Sequence, residues 1–383
     1  MRQETWVQFF SINEYSLFKI VTLLKDSKFG EWCKNQKDKT ILLKPNLLSA
    51  KPPDNAITTH PIILEAVLNL IPLKSNNVII ADSPGGIIKG VKRVWENTGM
   101  QDLANRYKVE LICIETSAQI KLAGKFGPYP ITRLITEVDA WINLPKLKTH
   151  SLTYITGAVK NAYGLIPGLA KAQYHKSAPS PQEFAHVIAD IYASFKPDWT
   201  LMDGIVGMDE EGPAAGRIVK PSVLILSPNA LALDLAFLDF AKLDIKKSVI
   251  TMECIKRGMK PSTIEEIKII DKPLELNDFR EPPTNFMNSI SSSVVRFMGS
   301  LIWFRPKILK ESYKKCRICV ERCPVKAIKT DAKHFKIDYS KCILCLCCHE
   351  LCPHNAIELD MSMLMKLRQK LLDIRNKIKS KFR

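Results

Sequence analysis

The chain has 383 residues, enough for two or more domains, and its apolar content of 46% is ordinary for a folded protein with a full core. Charged residues interrupt every early apolar stretch, so we expect neither a signal peptide nor a membrane-spanning helix, and we expect a cytoplasmic protein. The net charge of +17 would suit nucleic-acid binding, but no helix-turn-helix, RNA-recognition sheet or zinc-finger pattern accompanies it. We therefore expect no nucleic-acid partner.

Residues 1–275 alternate strand and helix patterns. Short runs rich in Val, Ile and Leu, typical of strands buried on both faces, occur at 40–45, 77–82, 109–115, 138–144, 198–203, 222–227 and 266–271. Helical patterns lie between these runs, at 13–35, 60–72, 88–106, 182–195 and 229–258. This alternation predicts an α/β domain with a mainly parallel sheet and helices on both faces.

Polar side chains collect just after several of these strands, and in α/β sheets binding sites form at the carboxyl ends of the strands. We predict substrate-binding roles for Lys44, Asn46, Asp82, Lys160 and Asn161, and catalytic roles for Lys146, Lys148, His150 and Asp203. The lysines would suit a small anion such as a carboxylate or a phosphate. Singly, each residue also has a structural interpretation, as a solvated loop charge or a hydrogen-bonded core side chain. No Walker A, GxGxxG or nucleophile-elbow sequence is present, which disfavours ATP hydrolysis and dinucleotide binding.

Residues 276–310 have a different composition, with two consecutive prolines, a serine-rich stretch and then an apolar run. We predict a linker that contains one amphipathic helix packed between domains.

The cysteine-rich segment 316–353 reads C-x2-C-x3-C-P and then C-x2-C-x2-C-x3-C-P. Thiolates two residues apart can surround one four-iron cluster, while the cysteine before proline binds the other cluster of the pair. Residues 311–360 are therefore predicted to form a small α+β module like a two-cluster bacterial ferredoxin. The predicted ligands are Cys342, Cys345, Cys348 and Cys323 for a first cluster, and Cys316, Cys319 and Cys352 for a second.

The second cluster lacks one cysteine, because Tyr313 stands where the pattern requires it. This cluster could have three irons, could have four irons with an unusual fourth ligand, or could be absent. A zinc site or a disulfide framework is the alternative for the whole segment, but neither explains seven cysteines at this spacing with two Cys-Pro endings. The extra Cys347 is interpreted as a packing residue.

The last 23 residues, 361–383, contain eight Lys or Arg residues and one Asp, with apolar residues at helical spacing. We predict a basic amphipathic tail that packs on the cysteine-rich module. The alternatives are contact with an anionic membrane surface or with an acidic redox partner protein.

Several segments together resemble domain-of-unknown-function family 362: LLKPNLL, TTHP, IIADSPGG, INLPKLKTHSLTYITGAVKNAYGLIPG and LMDGIVGMDEEGPAAG. Members of that family often carry a C-terminal two-cluster ferredoxin module. The resemblance implies a cytoplasmic prokaryotic iron–sulfur protein of an anaerobe, and it implies no particular reaction.

Three functional hypotheses follow from these observations. The leading one is an oxidoreductase in which ferredoxin-type clusters exchange electrons with a small anion bound at the strand ends. The second is a non-catalytic electron carrier or assembly subunit that docks on a partner protein. The third is a lyase or isomerase that uses an open iron of the second cluster as a Lewis acid.

Overall fold

The computed structural model describes residues 5–84, 91–274, 276, 278–282, 304–309, 311–314, 316–330, 335–352, 354, 356–364, 366–367 and 371. The strands are Trp6–Ser11 (β1), Thr40–Pro45 (β2), Asn77–Asp82 (β3), Glu110–Cys113 (β4), Gln119–Leu122 (β5), Tyr129–Thr132 (β6), Ala140–Leu144 (β7), Lys146–His150 (β8), Tyr154–Ile155 (β9), Trp199–Asp209 (β10), Arg217–Val219 (β11), Val223–Ser227 (β12), Lys268–Ile270 (β13), Phe304–Ile308 (β14), Ile328–Thr330 (β15), Phe335–Ile337 (β16) and Ile357–Met361 (β17). The helices are Leu17–Lys25 (α1), Lys28–Lys34 (α2), Pro61–Leu70 (α3), Val91–Asn97 (α4), Met100–Tyr107 (α5), Gly157–Asn161 (α6), Gly168–Ser177 (α7), Pro181–Ser194 (α8), Ala230–Phe240 (α9), Val249–Lys256 (α10), Ile318–Glu321 (α11) and Cys347–Glu350 (α12).

A mixed sheet of 11 strands forms the centre of the large domain. Strands β10, β7, β2, β3 and β4 lie side by side in that order, each parallel to its neighbours. Strands β12 and β1 extend the sheet with antiparallel pairing. Each of the seven strands predicted from the sequence is present, and the mainly parallel α/β architecture is confirmed. Of the strands in this sheet, the sequence analysis missed β1, β8, β9 and β11.

Helices cover both faces of this sheet, because successive side chains of each buried strand point to opposite sides. Leu42 of β2 packs into a core with α6, α8, α9 and α10. Its neighbours Ile41 and Leu43 pack into a second core with α1 to α5. Burying an aliphatic side chain of this kind contributes about 1.5–3 kcal/mol to stability. Because β2 contributes side chains to both cores, the same strand stabilises the packing of helices on both faces of the sheet.

Local signals fix where the helices begin. Ser180 and Glu183 form a capping box at the start of α8, in which each side chain accepts from the other residue's backbone N–H. Helix α3 starts with Pro61, and the His60 Nδ1 atom before it accepts a hydrogen bond of 3.3 Å from the Ile62 N–H. Because α3 follows β2 in the chain, this cap also fixes the segment that leaves the carboxyl end of β2.

The cysteine-rich module is a small α+β unit, as predicted. Strand β14 pairs antiparallel with β17, and β15 pairs antiparallel with β16. Helices α11 and α12 each follow a residue in the left-handed region, Arg317 at φ 60° and Leu346 at φ 60°. The two half-motifs of the cysteine segment therefore fold in the same way, each with a short helix that contains one of the predicted cluster ligands, Cys319 in α11 and Cys348 in α12.

The predicted linker and tail are only partly within the described residues. The apolar run for which the sequence predicts an amphipathic helix, SSSVVRFMGSLIWF, covers residues 291–304, and all of it except Phe304 lies outside the described part of the chain. Residues 304–308 were assigned to the linker, but they form β14 of the module's sheet.

In the tail, the side chains of Met363, Leu364, Leu367 and Leu371 are 88, 47, 56 and 59% exposed. The expectation that these residues pack on the module is therefore wrong. Among the described residues, no helix has both the length and the apolar character needed to cross a membrane.

Candidate functional site: a cleft between the sheet and the cysteine-rich module

A cleft with a volume of about 110 Å³ lies at the carboxyl ends of β2 and β3, where parallel strands present their ends at one edge of the sheet. Helices α6 and α7 form one wall of this cleft, and the cysteine-rich module closes another. The polar residues that line the cleft are Asn46, Asp82, Ser83, His150, Lys160, Asn161, Lys171 and His175 from the large domain, and Arg322, Cys347 and Glu350 from the module. Five of the nine predicted binding and catalytic residues are in this set: Asn46, Asp82, His150, Lys160 and Asn161.

Two of the predicted lysines are held in buried ion pairs instead. Lys44 Nζ lies 2.7 Å from Asp82 Oδ1, and Lys146 Nζ lies 2.7 Å from Asp203 Oδ2. Both lysines are fully buried and neither lines the cleft. Each ammonium already faces a carboxylate, so these pairs stabilise the strand ends rather than present a free charge to a ligand.

The backbone of Gly164 lies close to the ion pair of Lys44 and Asp82. A Cβ atom at residue 164 would clash with Lys44 Nζ unless the pair shifted. A glycine is required at this position because the backbone passes directly over the ion pair.

The segment KLKTH, interpreted from sequence as a loop of charges, is strand β8. It pairs with β10, with Lys146 opposite Asp203 and Lys148 opposite Met208. Its alternation places the side chains of residues 146, 148 and 150 on one face. Lys148 is buried, and its Nζ donates to the Ile57 carbonyl. Burial lowers the pKa of Lys148 well below its ordinary value. Only His150, at the end of the strand, reaches the cleft.

Cationic groups dominate the interior of the cleft. Among the described residues no carboxylate forms an ion pair with Lys160, and burial lowers its pKa. Lys171 donates to the Ser83 carbonyl, and burial lowers its pKa to about 8. The Nε atom of Arg322 is buried and has no hydrogen-bond partner within the described part of the chain. A buried positive charge without a partner is costly, so the cleft is suited to an anion.

Amide side chains provide the neutral part of the cleft. Asn161 Nδ2 donates to Asn143 Oδ1 at 2.8 Å, and Asn46 Nδ2 donates to Asn161 Oδ1 at 3.0 Å. This chain of amides fixes the orientation of Asn46, whose Oδ1 atom is buried and has no partner in the described residues. The cleft therefore presents one oriented acceptor beside its cations, which suits a ligand that also carries a hydroxyl or amine donor.

His150 joins the large domain to the module. Its Nδ1 accepts hydrogen bonds from the backbone N–H groups of Leu152 at 3.0 Å and Thr153 at 3.3 Å. The neutral ring therefore carries its proton on Nε2, which lies 3.3 Å from Glu350 Oε1. Burial lowers the pKa of His150 well below its ordinary value and raises the pKa of Glu350. At neutral pH the histidine is an uncharged donor to a carboxyl group supplied by the module.

The module gathers its cysteines around two cavities. The first thiol cavity is lined by Cys323, Cys342, Cys345 and Cys348, and the second by Cys316, Cys319 and Cys352. Spacing predicted these crossed sets. Apolar side chains complete the first lining, whereas the second also includes Tyr313, Lys314 and His354. Backbone N–H groups donate to sulfur, from Ala327 to Cys323 at 3.1 Å and from Ala356 to Cys352 at 3.2 Å. Such donors stabilise thiolates bound to a cluster.

The arrangement fits a polynuclear cluster better than the alternatives. All eleven cysteines of the chain are free, so no disulfide framework exists. Thiols placed around a cavity suit a cluster, whose ligands bind different irons.

Cys347 lines both the first thiol cavity and the cleft. It is buried, as expected for a packing residue, but its position in the wall between the two spaces is a structural finding. Only a thin protein layer therefore separates the first thiol cavity from the cleft.

The residues that sequence reasoning missed come mostly from the module or from α7. Lys171 and His175 are four residues apart and lie on one helix face, so their spacing was a usable signal. For Arg322 and Glu350 there was no such signal, because both lie inside the cysteine motif and far in sequence from the strands they meet.

Comparison with known protein families agrees with this geometry. The family described as 4Fe-4S binding domain matches residues 335–358. A pyruvate synthase subunit PorD of Methanocaldococcus jannaschii is 42% identical over 67 residues, which cover 17% of this chain and 78% of that protein. A ferredoxin of Alicyclobacillus acidocaldarius is 46% identical over 44 residues, 12% of this chain and 56% of that protein. The chain is an iron–sulfur protein of the electron-transfer class, with at least one four-iron cluster.

The large domain defines the family. The chain belongs to the family described as Domain of unknown function (DUF362), which matches residues 41–239. A thylakoid-associated protein of Synechocystis sp. is 30% identical over 239 residues, which cover 62% of this chain and 73% of that protein.

Proposed function

We propose that this protein is an oxidoreductase that transfers electrons between ferredoxin-type clusters and a small anionic substrate bound in the cleft. One observation supports this most strongly: Cys347 and Glu350 of the module line the same cleft as the strand-end residues. A substrate in the cleft would therefore lie beside the first thiol cavity. When bound, four-iron clusters supply electrons one at a time.

We assign the first cluster to Cys323, Cys342, Cys345 and Cys348, and the second cluster to Cys316, Cys319 and Cys352. The grouping of the cysteines around two cavities and the N–H donors to sulfur support both assignments.

Three cationic groups that line the cleft, Lys160, Lys171 and Arg322, would bind the anion. Lys160 belongs to the large domain and Arg322 to the module, and both line the cleft. A carboxylate or phosphate that contacts both would hold the two parts of the chain together. The oriented Asn46 Oδ1 would accept from a hydroxyl or amine of the same ligand. We therefore favour a small hydroxy or amino acid, or a small phosphate ester, as the substrate class.

The remaining predicted catalytic residues have different proposed roles. His150 donates to Glu350 and positions this carboxyl group at the cleft. The buried pair of Lys146 and Asp203 receives further hydrogen bonds, from the Tyr15 hydroxyl and the His60 N–H to the aspartate. We propose that this pair, together with Lys148, supports the shape of the cleft without contacting the substrate.

The experiment uses full-length protein purified anaerobically with its clusters. Binding of hydroxy acids, amino acids and phosphate esters is measured by calorimetry, and each ligand that binds is tested for electron exchange with the clusters in both directions. The proposal predicts that at least one anion both binds and changes the oxidation state of the clusters. If the clusters are reduced normally and no small anion binds, the proposal is wrong.

A second candidate function is electron delivery to a partner protein. The support is the 42% identity of the module to a pyruvate synthase subunit. We infer that the module exchanges electrons with a redox partner protein, in addition to or instead of a substrate in the cleft. Co-purification of a redox enzyme in a fixed ratio, lost when residues 361–383 are deleted, would favour this function. A chain that remains alone at all protein concentrations would argue against it.

The tail supports a further partner proposal, contact with an anionic membrane surface. Met363, Leu364, Leu367 and Leu371 are exposed on a segment with eight basic residues and one acidic residue. One relative is named as thylakoid-associated. Cosedimentation with vesicles of anionic lipid, absent with neutral vesicles and absent after deletion of 361–383, is the expected result. Equal binding to both kinds of vesicle would contradict the proposal.

A further inference from the structure

The lining of the second thiol cavity includes a buried hydroxyl group that forms no hydrogen bond with any described residue. Tyr313 lines this cavity together with Cys316, Cys319 and Cys352. Its hydroxyl is shielded from solvent and has no hydrogen-bond partner in the described residues. The ring is held in place against Phe335, with centroids 3.8 Å apart. A buried hydroxyl without a partner is unfavourable by about 1–3 kcal/mol, so this atom requires an explanation.

We propose that Tyr313 is the fourth protein ligand of the second cluster and binds iron through its phenolate oxygen. It occupies the sequence position at which the ferredoxin pattern places a cysteine, three residues before Cys316. The Fe–O bond forms as the phenolic proton leaves to solvent and a water or hydroxide leaves the iron, so no electron is transferred in this step. Tyrosine oxygen is an established iron ligand in proteins.

The other polar residues of the cavity are weaker candidates. Lys314 lines it, but a protonated ammonium has no lone pair to donate. His354 also lines it and is the competing ligand, since imidazole binds iron well. His354 follows the second Cys-Pro ending, whereas Tyr313 is at the missing-cysteine position and has its hydroxyl inside the protein. These two features favour the tyrosine.

The test depends on cluster binding by the module and is independent of any substrate in the cleft. Full-length protein and the variants Tyr313→Phe, Tyr313→Cys and His354→Ala are purified anaerobically. Iron and sulfide content, the visible absorption spectrum and electron paramagnetic resonance are measured. Tyr339→Phe is the matched control, because it also removes one phenol hydroxyl from the module but does not line the second thiol cavity.

We expect about eight irons per chain in the wild type, the Tyr339→Phe control and the Tyr313→Cys variant. Tyr313→Phe is expected to hold about seven irons and to show a three-iron signal when oxidised. The wild type should also show a phenolate-to-iron absorption band that Tyr313→Cys lacks.

The proposal is overturned if Tyr313→Phe keeps the full iron content and an unchanged spectrum. It is also overturned if His354→Ala alone produces the three-iron signal, or if the wild type itself holds about seven irons. The last result would leave a corner open for Lewis-acid chemistry. Retention of the first cluster in Tyr313→Phe would show that the module is still folded.

Discussion

Replacing Lys160 by methionine should separate ligand binding from stability. Lys160 lines the cleft and forms no direct ion pair among the described residues, although the Glu350 carboxyl group attracts it from further away. Its ammonium can therefore donate to a ligand anion. A hydrogen bond to a charged group contributes about 1.5–3 kcal/mol. Its loss should weaken binding of the anion by about tenfold to a hundredfold. Methionine has a similar length and removes only the charge. Removal of the charge ends its unfavourable burial and also its attraction to Glu350, so these two effects oppose each other and the change in stability should be small.

The assay is calorimetric titration of the cluster-loaded protein with an anion that binds the wild type, together with urea unfolding of both proteins. Lys121→Met is the matched control, because Lys121 is exposed on β5 and does not line the cleft. The control should bind the anion as the wild type does. The assignment of the cleft would be refuted if Lys160→Met bound the anion with unchanged affinity, or if both variants lost affinity equally.

Three further predictions concern the residues around the cleft. Lys146→Met should reduce the free energy of unfolding by about 3–5 kcal/mol, because it leaves a buried carboxylate unpaired, and urea unfolding would show no such loss if the pair is unimportant. Gly164→Ala should destabilise the chain by about 1–3 kcal/mol, since its Cβ would force the side-chain ends of Lys44 and Asp82 to shift; a thermal midpoint equal to that of the wild type would contradict this. Burial lowers the pKa of His175 from 6.5 to about 3, so between these pH values the unfolded chain takes up a proton that the folded chain does not. Stability is therefore lost as the pH falls below about 6.5, and His175→Phe should reduce the loss at pH 5 by about 2 kcal/mol, measured by urea unfolding at pH 5 and pH 8; equal pH dependence in both proteins would exclude this residue as the cause.

The parts of the structure that follow local rules could be predicted from sequence. The strands around 41–43 and 78–80 are continuous aliphatic runs, and such runs are buried on both faces in a parallel sheet. The crossed grouping of the cysteines follows from their spacing alone, because two residues between thiols set their reach. The meeting of Asn46 and Asp82 followed from the rule that parallel strands end at one edge.

The parts that depend on distant partners could not be predicted. KLKTH has the composition of a polar loop, yet it forms a buried strand that pairs with β10. The charge of Lys146 is compensated there by Asp203, which lies 57 residues away in sequence. The contact of His150 with Glu350 depends on how the module sits against the sheet, which no periodicity encodes. The tail was expected to pack because its apolar residues have helical spacing, yet spacing does not identify the surface that covers them.

The central claim is that a ligand in the cleft exchanges electrons with the clusters beside it. The most direct measurement is a single-turnover experiment without any partner protein. The protein is mixed with an anion that calorimetry has shown to bind, and the absorbance of the clusters is followed over time. Reduced clusters are mixed with the oxidised form of the anion, and oxidised clusters with its reduced form. We expect a saturable rate in one direction, with half of the maximal rate at an anion concentration equal to the calorimetric Kd. In Lys160→Met this concentration should rise by about tenfold to a hundredfold at unchanged iron content. An anion that binds in the cleft and leaves the oxidation state of the clusters unchanged in both directions would contradict the account.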